Sequence, residues 1–270
     1  MFAFDLLKCW FWLGQVGLAW ICFWFLVMGS APTQAAEPLP FKEGEKLTYH
    51  FYWGIFMVGR GTFEVRRGSE KDGWIFEVRG KSNDFISAIY PVKEEITSFF
   101  DARFMRSTRF QQNRREGNSH IWEETFYFYS LGHASTQSYV SGEYQWFEIP
   151  RNGVQDKLST IYFMRCRDWN KSNEHAVLIG NDKRNYKVRI KKLKIEKIKL
   201  DDFSVIPTFQ VEPNTEYLSG FVKKGRMWAW VSDDRFKVPI RVVAQLRVGR
   251  VSAELVAVEG IEGWPYKRRD

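Results

Sequence analysis

Residues 47–53 read Leu47-Thr48-Tyr49-His50-Phe51-Tyr52-Trp53. Leu47, Tyr49, Phe51 and Trp53 take every second position, the period of a strand with one buried face. The same signal spreads in both directions from this stretch. Thr62-Phe63-Glu64-Val65 continues the sheet after Gly59 and Gly61, and a turn through 68–73 leads into Trp74, Phe76 and Val78. Strands are predicted at 92–100, 106–115, 121–129, 135–140 and 144–149, parted by the turn pairs Gly117-Asn118, Leu131-Gly132 and Ser141-Gly142. The last third repeats the pattern at 175–179, 186–200, 205–211, 227–232, 238–248 and 251–258. Runs such as VPIRVVAQLRVG at 238–249 are long enough for a curved sheet.

Two stretches break the period. NDFISAIY at 83–90 predicts a short helix capped by Asn83 or Asp84 and stopped by Pro91, with Phe85, Ile86, Ile89 and Tyr90 on one side. Asp156 is the predicted N-cap of an amphipathic helix whose Leu158, Ile161, Tyr162, Cys166 and Trp169 share one face, and which plugs the sheet or covers it, hiding one end or an edge. The expected fold is therefore all-β: an antiparallel curved sheet forming a barrel or open half-barrel (a spiral), with one or two short helices. One β domain over 36–270 accounts for the whole body.

Composition supports a packed core. Of 270 residues 44% are hydrophobic and 17% aromatic, with 12 Trp and 23 Phe, which speaks against disorder. The net charge of +8 is local. Segment 183–199 holds nine basic residues and one acid, Glu196; removing it from the 40 basic and 32 acidic residues leaves 31 of each. Of the three cysteines, Cys9 and Cys22 precede the body, so Cys166 has no partner within it and reads as a small buried hydrophobe.

Residues 9–29 carry no charge, Lys8 precedes them, and the small residues Ser30 to Ala36 follow. That order is a secretory signal, predicted to be cut after Ala35, so residues 1–35 form the leader. The apolar run is also long enough to span a bilayer, leaving a second reading in which 9–29 stay as an inner-membrane anchor. Both put the domain outside the cytoplasm, in the periplasm.

Gly44-Glu45, Leu47, Tyr49, Trp53 and Val58-Gly59 open the body in a pattern that continues through Tyr90, Val92, Ser98, Asp101 and Arg114-Arg115-Glu116-Gly117. It is completed by Val154, Asp156, Leu158-Ser159, Tyr162 and Arg165, then by Trp230-Val231-Ser232-Asp233-Asp234 with Pro239-Ile240-Arg241. Over about 41–255 the chain resembles the family catalogued as domain of unknown function 3108. The resemblance implies an exported, largely antiparallel β protein, shaped like the curved sheets of periplasmic lipid and lipoprotein carriers, and implies no activity. The basic segment 183–199 is not part of that resemblance.

No catalytic constellation emerges. His50, His120, His133 and His175 lie far apart and none has ligand spacing. There is no G-x-S-x-G elbow, and Asp156 near Ser159 is explained by capping. The carboxylate pairs Glu94-Glu95, Glu123-Glu124 and Asp201-Asp202 put neighbours on opposite strand faces, and Asp233-Asp234 reads as a turn. No cofactor is implied. The candidate site is the basic run Lys187, Arg189, Lys191, Lys192 and Lys194, read as an anionic-surface patch or as lysines guarding an edge hairpin against aggregation. Its apolar phase slips at Leu193 and Ile195 and again at Ile198 and Leu200, which predicts bulges. Nucleic acid suits the charge but not the compartment. The leading expectation is a non-enzymatic envelope protein binding an apolar or amphipathic ligand, such as a lipid, or a partner, on the concave face of its sheet. An envelope hydrolase with an unfamiliar site and a structural scaffold remain as alternatives.

Overall fold

Alternating apolar and polar side chains become fourteen antiparallel strands among the described residues. These are β1 (Lys46–Trp53), β2 (Phe56–Arg67), β3 (Gly73–Ser82), β4 (Val92–Asp101), β5 (Arg106–Glu116), β6 (Ser119–Phe128), β7 (His133–Ser138), β8 (Tyr144–Glu148), β9 (Glu174–Asn181), β10 (Arg184–Ile198), β11 (Ile206–Asn214), β12 (Arg226–Ser232), β13 (Pro239–Leu246) and β14 (Gly249–Glu259). The structure, a computed structural model, describes residues 38–69, 73–181, 183–201, 203–214, 226–246 and 249–266. The leader and its predicted cleavage point lie outside the described residues.

Residues Leu39–Asp270 form one unit, built on a single unclosed sheet of order β8-β7-β6-β5-β4-β3-β2-β1-β14-β13-β12-β11-β10-β9. The chain makes one meander from β1 to β8 and a second from β9 to β14, and the two join where β1 pairs with β14. Curvature has a local cause. Register shifts interrupt five of the pairings, including Thr48/Tyr49 against β14 and Phe99/Phe100 against β5, and each such irregularity bends and twists its strand. Gly61 serves close approach: a Cβ there would lie 2.9 Å from Cζ of Phe51, so only glycine lets that ring cross β2.

The chain after β8 runs between the edge strand β9 and the interior strand β5. After β8, Gln155 forms a parallel bridge with Ile179 of the edge strand β9, its amide donating to Leu178 O at 2.8 Å and its carbonyl accepting from Gly180 N at 2.9 Å. On the other side the Ser107 amide donates to Val154 O at 3.0 Å, and Tyr127 donates its hydroxyl to Gly180 O at 2.7 Å. The sheet thus stays open while residues 154–155 cover part of its β9 edge.

Among the described residues two helices accompany the strands: α1 (Asp84–Ser87) and α2 (Ser159–Arg165). Asn83 caps α1, its side chain accepting from the Ile86 amide. The predicted apolar side of α1 is not buried, however. Phe85 and Ile89 are 74% and 75% exposed, because α1 projects beyond the sheet end instead of lying on it. Helix α2 also differs from expectation. It ends before Trp169 and is buried on two sides, not one. Leu158 and Tyr162 pack with Phe41, Trp74, Phe76 and Phe100, while Phe163, Met164 and Trp169 pack with Val177, Val188 and Phe209. Of the two expected placements the helix takes that of a plug, and a helix inserted into the concavity meets both walls. Tyr162 stacks on Phe76 at 3.7 Å between ring centroids.

Strand β10 shows one bulge against β11, between Lys192 and Ile195. The slipped apolar residues Leu193 and Ile195 point outward, 42% and 64% exposed, and the core resumes at Ile198.

Candidate functional site

Helix α2 does not fill the concavity, and its placement depends on two buried polar networks. Asp156 Oδ1 accepts from the amides of Leu158 and Ser159, both at 2.8 Å, so it caps the turn that starts α2. Its Oδ2 accepts from Ser98 Oγ of β4 at 2.5 Å. Ser107 Oγ of β5 accepts from the Asp156 amide at 2.8 Å and lies 2.6 Å from Ser159 Oγ. Asp156, Ser98, Ser107 and Ser159 are each fully buried, and burial pushes the Asp156 carboxyl above its usual range despite these hydrogen bonds. Such serines are closed to a substrate; their work here is to fasten α2 to β4 and β5.

At the far end of α2, Arg165 makes a bidentate pair with Glu45 at 2.5 and 2.9 Å. It also donates to Phe236 O and Pro40 O, both at 2.9 Å. Burial pulls the guanidinium's pKa down, but Glu45 outweighs it and leaves the pKa above its ordinary value. The helix is held at both ends by residues from four distant parts of the chain.

Between α2 and the sheet lies a cavity of about 400 Å³. Its sheet wall carries Leu47, Tyr49 and Phe51 of β1, Val188 and Ile190 of β10, Val211 of β11, Met227, Ala229 and Val231 of β12, Val242 of β13 and Ala253 of β14. Ile161, Tyr162 and Met164 of α2 form the opposite wall. Polar chemistry is confined to Lys157, Thr160, Arg165, Lys237 and the hydroxyls of Tyr49 and Tyr162. Tyr49 donates to Pro239 O at 2.8 Å, while the buried Tyr162 hydroxyl has no hydrogen-bond partner among the described residues. Desolvation raises the pKa of both phenols, so they stay neutral. Lys237 sits at φ 48°, a conformation that favours glycine, and Asp234 holds it there by accepting its amide at 3.0 Å. The expected turn at Asp233-Asp234 is thus what presents Lys237 to the cavity.

The chain matches the family of proteins of unknown function DUF3108 over residues 48–256. It belongs to DUF3108. Nothing among the curated proteins matches this DUF3108 chain. A solved structure that resembles it is a β-barrel-like protein of DUF1849 from Brucella abortus. The two are 12% identical with a TM-score of 0.57, over 81% of this chain and 98% of the other, a likeness of fold alone. A Parabacteroides distasonis protein assigned provisionally as a lipoprotein aligns over 81% of this chain and 96% of its own, at 10% identity and TM-score 0.33, too low to bear on this fold.

The basic run is divided by the structure. Lys187, Arg189 and Lys191 face outward on β10, in register with Leu178, Ala176 and Glu174 of β9. Lys191 is flanked by Glu174 and Glu212, and Arg189 lies 3.9 Å from Glu174, so acids of neighbouring strands interrupt the patch. Lys194 pairs with Glu196 at 3.0 Å. Lys192 turns the other way, donating to Trp169 O at 3.4 Å over the Phe209 ring. One strand cannot present Lys191 and Lys192 on one face, because neighbours alternate. Among the described residues no group of three or more His, Cys, Asp or Glu could hold a metal, and no helix is long and apolar enough to cross a membrane. Sequence reasoning expected a ligand on the concave face but assigned it none of the residues that line this cavity. Its only signal was the surplus of apolar side chains on concave positions, which a filled core would share.

Proposed function

We propose that this DUF3108 domain is a non-enzymatic envelope protein, exported to the periplasm, that binds the apolar chain of an amphipathic ligand between α2 and the concave face of the sheet. The cavity carries the reading: about 400 Å³ lined almost wholly by aliphatic and aromatic groups, within the range of small-molecule sites. Chain burial supplies affinity, about 0.8 kcal/mol per methylene removed from water. The cationic Lys157 and Lys237 and the unpartnered Tyr162 hydroxyl give a polar end something to meet, which favours an amphiphile over a plain hydrocarbon. Export is supported by the uncharged run 9–29 and the small residues after it.

The test is displacement of a fluorescent fatty acid from residues 37–270, alongside Ala229→Trp, which puts an indole into the cavity from β12. Ala229→Trp is expected to lose at least tenfold in probe affinity without a lower melting temperature, since it fills space rather than displacing packed atoms. Equal binding by both proteins would place the probe elsewhere and defeat the reading.

A further inference from the structure

One end of the sheet combines two features that each carry a cost. The β1–β2 turn and the α1 segment expose Ile55 at 87%, Phe56 at 72%, Phe85 at 74% and Ile89 at 75%. Asn83 ties the two connections together, its amide donating to Val58 O at 2.9 Å and its side chain to Met57 O at 2.6 Å. Behind these tips Arg60, Lys81, Lys93 and Arg115 stand directly opposite one another across β2, β3, β4 and β5. All four are exposed, and like charges in direct register destabilise a sheet. Among the described residues the one carboxylate within 4 Å of them is Glu95, 3.0 Å from Lys93. Further acids at this end are Asp84 in α1, Glu94, which accepts from Gln112 at 2.7 Å, and Glu116, which Arg114 approaches at 3.7 Å. Between α1 and the cations runs a groove of about 350 Å³, lined by the three cations Lys81, Lys93 and Arg115, the hydroxyls of Ser82 and Ser87, and one acid, Asp84.

We propose that this end docks on the anionic leaflet of a phospholipid bilayer. Ile55, Phe56, Phe85 and Ile89 enter the acyl region, and the groove seats headgroup phosphates against Lys81, Lys93 and Arg115. Depth and charge both fit this occupant. Arg60 follows Phe56 by four residues, about 13 Å along a strand, so tips sunk into the acyl boundary leave the cation row at the headgroups. Trp53, in register with Phe56, and Tyr90, next to Ile89, are 52% and 50% exposed, amphipathic rings of the kind that favour the membrane interface. The row spans four strands, about 15 Å, so several headgroups are met at once. A protein partner would have to bring a matching line of acids above an apolar socket, whereas an anionic leaflet supplies both layers over its whole area.

The experiment uses residues 37–270, which contain every core cluster described above, with vesicles of phosphatidylcholine alone or mixed with phosphatidylglycerol. The protein is expected to sediment with the mixed vesicles at low salt, at least tenfold less with phosphatidylcholine, and to be released by high salt. Lys81→Gln/Lys93→Gln/Arg115→Gln is expected to weaken binding about a hundredfold, since each surface cation contributes roughly fivefold beside an anionic leaflet. Ile55→Ser/Phe56→Ser/Ile89→Ser is expected to abolish binding without lowering the melting temperature, because these side chains are exposed. A nitroxide at Ile55→Cys should become shielded from an aqueous quencher when vesicles are added. Ala229→Trp should keep vesicle binding, which separates this surface from the cavity. No binding to mixed vesicles, equal binding to both compositions, or an unaffected cation variant would overturn the proposal.

Discussion

Removing the Glu45 carboxylate should be among the most damaging single changes to this domain. Glu45 and Arg165 are 1% and 3% exposed, and Arg165 meets Glu45 through two charge-assisted hydrogen bonds. In Glu45→Ala the guanidinium stays buried with the carbonyls of Pro40 and Phe236 as its remaining polar partners. A buried charge stripped of its counter-ion costs about 3–5 kcal/mol. At roughly 2–4 °C per kcal/mol for a domain of this size, the melting temperature should fall by about 10 °C. The double variant Glu45→Leu/Arg165→Met removes both charges and leaves only two carbonyls unsatisfied, about 1–3 kcal/mol each at most. It should therefore be no less stable than Glu45→Ala alone, and the pair should couple by more than about 1 kcal/mol in a double-mutant cycle. Urea unfolding of the four proteins measures every term. A loss below about 1 kcal/mol in Glu45→Ala, or strict additivity, would refute the view that this ion pair anchors the end of α2.

Two further outcomes follow from buried titratable groups. Burial raises the folded pKa of Asp156, so its stabilising contribution is complete below the unfolded value near 3.8 and is lost as pH rises through the folded one. Asp156→Asn retains an acceptor for the Leu158 and Ser159 amides. Its stability relative to wild type should therefore improve from pH 4 to pH 7, and a difference independent of pH would be evidence against a raised pKa. Burial pushes the Cys166 thiol up to about 11, and Sγ lies 3.3 Å from Tyr162 O. A thiol reagent at pH 8 should therefore modify Cys166 in denaturant at least a hundredfold faster than in the native protein. Cys166→Ser should cost only modest stability.

Local signals were legible where one residue and its immediate neighbours suffice. Leu47, Tyr49 and Phe51 alternate as a half-buried strand wherever that strand finally pairs, and the side chains of Asn83, Asp156 and Asp234 accept from amides within a few residues. A two-residue period fixes which side chains share a face of one strand. It does not fix which strand lies alongside, in what register, or whether a face turns inward. Pairing over long separations decided that Gln155 would bridge to β9, that Leu193 and Ile195 would face outward beyond a bulge, and that Phe85 and Ile89 would project past the sheet. The run 183–199 drew attention because its charges are contiguous, yet cross-strand acids divide it. Arg60, Lys81, Lys93 and Arg115, scattered over more than fifty residues, become one row through register alone. The cavity has the same origin, since a void is a property of walls brought together and no wall contains it.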